Sequence, residues 1–333
     1  MVTMRDVAEL AGVSITTVSH VVNGTRAVAE ATKQRVLDAV EATGYTGNAI
    51  ARSLATGGTR SLGVAISLVV NPYFAELIQV IEGEAARAGF TLLLVDTHDT
   101  PDTTRAAVHM LRSRRVDGLL LTPSPGPLST ALPDLHQLKT PIVLVDRLSG
   151  EGVVDQVGPE NVGATAALVG HVAARGHRRI ALISGAAGLA TTAERTQGYR
   201  LGLRRAGLAF APELVVCGES SAEPARAALH RLLDLDQPPT AVVSGNNRMT
   251  VGVLRAAGDR GLRIGRDLAV VGYDDVEWAE LVDPPLTTIA QPITDIGRTA
   301  VRLLLDRITH PDRPARTVRL PGRLVHRRSC GCP

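Results

Sequence analysis

Between Leu62 and Asp275 the chain sets short apolar runs between longer amphipathic stretches, and this alternation leaves few folds open. The runs "LGVAISLVV", "TLLLVD", "GLLLT" and "IVLVD" come first, and "RRIALIS", "LVVC", "TAVVSG" and "LAVVGYDD" follow. Runs this short that are apolar on both faces suit strands covered on both sides, as in a parallel sheet. Stretches between them, such as "AELIQVIEGEAARAG", carry the helical period. Strand–helix alternation implies a doubly wound parallel sheet, and two sets of runs imply two α/β lobes.

The 333 residues allow about two or three domains. A composition that is 44% hydrophobic but 2% aromatic suits an aliphatic core. The net charge of +3 is too small to name a nucleic-acid partner on its own. No apolar run reaches the roughly 20 residues of a membrane span. The start, "MVTMRDVAEL", lacks the pattern of a secretory leader. Cys217, Cys330 and Cys332 make no disulfide framework. A cytoplasmic protein with no membrane partner is the expectation.

Ahead of the lobes, "MRDVAELAGVSITTVSHVVN" reads as helix, tight turn, helix. Thr3 stands where it caps the first helix, with Asp6 three residues on. Gly12 falls at the bend, and Ser14 caps the second helix. Ala8 is small where the two helices cross. Val18, Val21 and Val22 form an inward stripe at spacings of three and four, which turns Ile15, Thr16, Ser19 and His20 outward. A short helix offering its N-terminal half to solvent is the recognition helix of a DNA-binding helix-turn-helix.

The stretch "DVAELAGVSITTVSHVVNGTRAVAEATKQRVLDAVEATGY" resembles the headpiece of the LacI family of bacterial repressors, with Gly12, Val13, Ser14, Thr17, Val18, Ser19, Val21 and Asn23 on the family pattern. The resemblance implies an all-α helix-turn-helix headpiece joined to a two-lobed core of the type I periplasmic-binding-protein fold. The implied boundaries are 1–46 for the headpiece, 47–60 for a hinge helix and linker, and 61–333 for an effector-binding and dimerisation core. Within the core, lobe 1 covers about 61–160 and 291–320, and lobe 2 about 161–290 and 321–333. The chain crosses between lobes near Glu160 and Gln291.

The resemblance also places functional residues. Ile15, Thr16, His20 and Arg26 fall near base edges, and Thr16, His20 and Arg26 match the pattern of the family's purine-responsive repressors. An arginine pairs bidentately with guanine, and a threonine meets a polar edge or a thymine methyl. Ile15 departs from the tyrosine or threonine common there and offers only apolar contact. Thr17, Ser19 and Asn23 are expected on phosphate, which positions without specifying. Residues 1–60 set Arg5, Arg26, Lys33, Arg35, Arg52 and Arg60 against Asp6, Glu9, Glu30, Asp38 and Glu41, so nonspecific affinity should be modest and helix N-termini must share the phosphate binding. "GNAIARSLATGG", residues 47–58, resembles the family's hinge helix, capped here by Asn48. In the family two hinges pair in the minor groove and a leucine matching Leu54 wedges into a central CG step, at a cost of a few kcal/mol of unstacking. So short a helix is marginal alone and suits an order–disorder switch.

In sheets of this kind ligands bind beyond the carboxyl ends of the strands. Asn71, Tyr73 and Phe74 follow the first run, Ser124 follows "GLLLTP", Asp146 ends "IVLVD", Asn246 and Asn247 follow "TAVVSG", and Asp274 ends "LAVVGYD". Arg195 lies in the helix after "RRIALIS". The resemblance implies that Tyr73, Phe74, Ser124, Asp146, Arg195, Asn246 and Asp274 contact an effector. Arg147 stands where purine-responsive members carry a stacking tryptophan, and Asn247 and Glu160 stand where aspartate is usual. A cleft this polar and poor in aromatics favours a sugar or sugar derivative.

The expected protein is a homodimeric, non-enzymatic repressor of pseudo-palindromic, CG-centred operator DNA, controlled by a small carbohydrate. The sign of the effector's action stays open. A nucleoside, another metabolite or a protein partner remains an alternative effector, and a solute-binding protein or a sugar- or nucleotide-converting enzyme a remote alternative function. No HExxH, GxxxxGK or GxSxG motif occurs, and no leucine heptad that would join dimers into a tetramer. In the tail "HRRSCGCP", His326, Cys330 and Cys332 supply three metal ligands where four are needed, so neither a metal nor another cofactor is expected.

Overall fold

The structure, a computed structural model, describes residues 2–23, 26–45, 58–67, 71–133, 135, 138–150 and 152–332. Leu54 and Asn48 lie outside them. Residues 1–60 and 61–333 form two separate units.

In the first unit α1 (Met4–Ala11), α2 (Ile15–Asn23) and α3 (Glu30–Thr43) surround a small core. The carboxylate of Asp6 accepts from the backbone N–H of Thr3 at 2.7 Å and from its hydroxyl at 2.9 Å. These two bonds hold the Asp6 carboxyl below its usual range and tie down the first turn. Gly12 takes φ of +64°, and the bond from Val13 N–H to Ala8 C=O (3.0 Å) closes the helix end. Ser14 Oγ then accepts from Thr17 N–H at 3.1 Å and starts α2. Val18 is wholly buried among Val7, Ala8, Ala11, Val36, Ala39 and Tyr45, with Val21 and Val22 packed at the edge.

The second unit holds two six-stranded sheets with the same strand order. The first contains β1 (Ser61–Ile66), β2 (Thr91–Asp96), β3 (Gly118–Leu121), β4 (Ile142–Val145) and β5 (Asp155–Glu160), in the order β5-β4-β3-β1-β2. The second contains β6 (Ile180–Ser184), β7 (Val215–Cys217), β8 (Ala241–Ser244), β9 (Ala269–Tyr273) and β10 (Thr287–Ala290), in the order β10-β9-β8-β6-β7. Late in the chain β11 (Thr317–Pro321) pairs parallel with β5, and β12 (Arg323–Val325) pairs antiparallel with β10. The inner strands β1, β3, β4, β6, β8 and β9 are buried on both faces and rich in valine, leucine and isoleucine, while the outer strands β2, β7, β11 and β12 are partly exposed.

Helix α4 (Pro72–Arg87) follows β1, α5 (Pro101–Ser113) follows β2, and the single turn α6 (Leu128–Ala131) follows β3. Helix α7 (Asn161–Ala174) enters the second lobe, where α8 (Ala190–Arg205), α9 (Ala222–Leu233) and α10 (Asn247–Asp259) follow. Helix α11 (Ile293–Thr309) returns to the first. That return is fastened by Asp155, whose buried carboxylate accepts from Arg307 Nε at 2.9 Å and from the backbone N–H of Arg316 at 2.8 Å. No described helix is long and apolar enough to cross a membrane.

Two close contacts fix the packing around α7. Helices α7 and α8 cross so closely that a Cβ at Gly198 would lie 2.4 Å from the Val162 carbonyl oxygen. The tail folds back onto α7, burying Cys330 and Cys332 beside Leu168, Val169 and Val172. This corrects the expectation that the tail has only three metal ligands nearby: His171 of α7 is brought up by the packing as a fourth.

The close crossing predicts that Gly198→Ala costs about 1–3 kcal/mol by overpacking. Gly170→Ala, where a Cβ meets open space, should be neutral or stabilise by a few tenths. Urea denaturation of both variants checks the contrast.

Candidate functional site

On the headpiece, Ile15, Thr16 and Arg26 are exposed, and Thr17, Ser19, His20 and Asn23 are half-buried. Thr17 Oγ1 shares a hydrogen bond with Ser14 Oγ at 2.9 Å, and Asn23 Nδ2 donates to Ser19 Oγ at 3.2 Å. The helix thus presents Ile15 and Thr16 to solvent, while Thr17, Ser19 and Asn23 take part in bonds that stiffen it. A recognition helix needs both.

In the core, the loops after β1, β4, β6, β8 and β9 converge on one cavity of about 50 Å³. Tyr73, Phe74, Asp146, Arg195, Asn246 and Asp274 all line it. Ser124 does not. It lines a neighbouring cavity of about 350 Å³, which shares Arg147, Leu189 and Thr192 with the first. Trp278 packs on the core of the second lobe and lines neither. Glu160 caps α7, its carboxylate accepting from the backbone N–H groups of Gly163 and Ala164.

Two aspartates dominate the chemistry. Asp146 follows β4 and Asp274 follows β9, which hold the same place in their sheets. Both adopt left-handed backbone, φ of +70° and +72°, which aspartate tolerates better than most residues. Each donates its own N–H to the next strand, Asp146 to Val157 at 2.9 Å and Asp274 to Ile289 at 3.0 Å. Both are about 5% exposed. Asp146 accepts the hydroxyl of Tyr73 at 2.6 Å. Burial raises its carboxyl above the usual range, with Arg147 opposing, and burial beside Asp146 pushes Tyr73 far up as well. Asp274 accepts from Asn247 N–H at 3.0 Å and from Gln291 Nε2 at 2.5 Å.

The two arginines differ. Arg147 is buried and its guanidinium is saturated: it pairs with both oxygens of Asp99 and donates to the Pro123 carbonyl at 2.9 Å and to Ser67 Oγ at 3.3 Å. Arg195 pairs with no carboxylate among the described residues. Its guanidinium stacks 3.9 Å from the ring centre of Tyr273, whose hydroxyl burial pushes up to about 12. It also donates to Asn161 Oδ1 at 2.9 Å and to the Gly245 carbonyl. The cavity therefore presents one cation held by neutral groups opposite two buried acceptors. Direct bonds join the lobes: Asn247 Nδ2 to Asn71 Oδ1 at 2.7 Å beside this cavity, and Gly126 N–H to the Gly188 carbonyl at 2.9 Å beside the neighbouring one.

The lining includes residues that the strand-end argument did not single out: Thr191, Thr192 and Thr196 of α8, Ser220, Met249 and Gln291. Ser220 and Gln291 follow β7 and β10, so the same rule reaches them. The threonines share the face of α8 that carries Arg195.

A helix-turn-helix unit followed by a two-lobed core with a polar cleft defines a class of DNA-binding transcriptional regulator. Residues 3–48 match the family described as bacterial regulatory proteins, lacI family, and residues 169–330 the periplasmic binding protein-like domain. The HTH-type transcriptional repressor PurR of Photorhabdus laumondii is 39% identical over 332 residues, covering 99% of this chain and 97% of the relative. The lac repressor dimer bound to operator and the anti-inducer ONPF is 30% identical, with a TM-score of 0.88 over 99% of both chains. The regulator CelR in its cellobiose complex is 31% identical, with a TM-score of 0.75 over 99% of this chain and 100% of that one. The chain belongs to the LacI family and is a DNA-binding transcriptional repressor, not an enzyme.

Tyr73→Phe leaves a buried carboxylate without its donor and should destabilise the core by about 1–3 kcal/mol. Denaturant unfolding, with the exposed Phe210→Leu as reference, measures it.

Proposed function

We propose that the protein is a homodimer whose affinity for a pseudo-palindromic operator is set by a hydroxyl-rich small molecule, a sugar or sugar derivative, held between the two lobes. The observation that carries this reading is the placement of Arg195, Asp274 and Asp146 around one cavity. Sugar hydroxyls donate and accept at once, so they are matched by buried carboxylates facing an arginine with no carboxylate partner. Arg147 supports it too: it stands where the purine-responsive members carry a stacking tryptophan, and its guanidinium is already committed to Asp99, Pro123 and Ser67. The cavity is well below the usual 300–1,000 Å³ of ligand sites, so binding must part the lobes or open the wall toward the neighbouring cavity. The bonds from Asn247 to Asn71 and from Gly126 to Gly188 are then the ones exchanged for ligand contacts, and a ligand that prefers one lobe arrangement shifts its population.

A purine is the second reading. It is favoured by Thr16, His20 and Arg26, which fall on the pattern of the purine-responsive repressors, and by the 39% identity to repressors named PurR.

On the headpiece we assign base contacts to Ile15, Thr16, His20 and Arg26 and phosphate contacts to Thr17, Ser19 and Asn23. Thr16→Ala and His20→Ala should each change the half-site enriched from random DNA, at about 1–3 kcal/mol per contact. Uniform weakening with an unchanged half-site would move both residues to phosphate.

The effector reading is tested by melting the full chain against aldoses, sugar phosphates, purine bases and nucleosides, with Asp274→Ala alongside. A ligand at about 100 times its Kd adds about 2.7 kcal/mol, a shift of a few degrees. A sugar response lost in the variant supports the proposal. A response to purines alone would establish the second reading, and no response to any compound would remove both.

A further inference from the structure

We propose that the C-terminal tail and helix α7 form a Cys₂His₂ zinc site, built from His171, His326, Cys330 and Cys332. The four ligand atoms lie within 4.8 Å of one another. The set is assembled from two places far apart in the chain: His171 stands in the last turn of α7, and the other three follow β12. Tetrahedral sites of two thiolates and two imidazoles select zinc.

The geometry is close to what the ion requires. Zinc bonds of about 2.3 Å to sulfur and 2.0–2.1 Å to nitrogen put neighbouring sulfur and nitrogen about 3.5 Å apart and two sulfurs about 3.8 Å apart. Cys332 Sγ lies 3.8 Å from His171 Nε2. The rings of His171 and His326 lie 5.0 Å apart, edge to face. The two sulfurs lie 2.7 Å apart, about 1 Å nearer than two zinc-bound thiolates, so one of them must shift to admit the ion. Joining as a disulfide would leave two imidazoles at the sulfurs with no role.

The surrounding backbone is built to present these sulfurs. Ser329 is buried, donates from Oγ to the Val270 carbonyl at 2.6 Å and accepts from Thr287 N–H at 2.8 Å. That anchor aims the next residues at α7. Gly331 turns between the cysteines at φ of +79°, and a Cβ there would lie 2.9 Å from the Gly265 carbonyl oxygen. Cys330 and Cys332 are buried, while His326 is exposed and gives an ion a route in. If the cysteines were only small apolar core residues, nothing would require the two histidines beside them. A bound ion would clamp the tail, and with it β12, onto the second lobe.

The test uses the purified full chain. Elemental analysis should find one zinc per chain, and reconstitution with Co²⁺ should give thiolate charge-transfer and tetrahedral ligand-field absorption. His326→Ala, exposed and safe for folding, should lose at least tenfold in metal affinity, and His171→Ala should do the same. Cys217→Ser should keep the metal. Chain that folds, carries no zinc and shows no cobalt bands would overturn the proposal. So would two thiols recovered only after reduction, which would make the pair a disulfide, or metal retained in both histidine variants.

Discussion

Among the described strands of the core, all but β12 point the same way within their sheets, so the loops that follow them gather at one edge of each sheet. The chain also passes between the lobes three times, after Glu160, after Ala290 and after Pro321, and each passage leaves the carboxyl end of a strand. Strand ends and crossings thus coincide. This constraint places Asn71, Asp146, Ser220, Asn246, Asp274 and Gln291 around the cleft, where a small change of lobe orientation meets directed side chains. The close contact of Gly198 with Val162 then holds α8, and Arg195 upon it, against α7 at the crossing.

Within that frame the two lobes repeat one device. Asp146 and Asp274 sit at equivalent strand ends, in the same left-handed conformation, each tied through its N–H to the adjacent strand. A carboxylate so held cannot swing to solvent and must find partners locally. Asp146 finds Tyr73 within its own lobe, and Asp274 finds Asn247 and the crossing residue Gln291. The asymmetry matters: one carboxylate is satisfied inside a lobe, and the other is bonded where the chain changes lobes.

Much of this was legible in the sequence because its causes are local. Thr3, Asp6, Gly12 and Ser14 act within a few residues of themselves, so caps and turn could be read in order. The strands showed as doubly apolar runs, and their ends pointed to Tyr73, Asp146, Asn246 and Asp274. What stayed hidden depends on partners far along the chain. Nothing local says that Arg147 is saturated by Asp99, Pro123 and Ser67, or that Ser124 faces the neighbouring cavity. His171 joins Cys330 and Cys332 only because α7 packs beneath the tail, which is why the tail motif looked one ligand short.

The central claim is that occupancy of the cleft changes DNA affinity. The direct measurement is operator affinity of the full chain, by fluorescence anisotropy at fixed salt, with and without a saturating ligand identified by melting. The account predicts a change of about 5- to 150-fold, equivalent to about 1–3 kcal/mol of coupling, and the same factor in ligand affinity when operator is bound. Equal operator affinity at full ligand occupancy would contradict it.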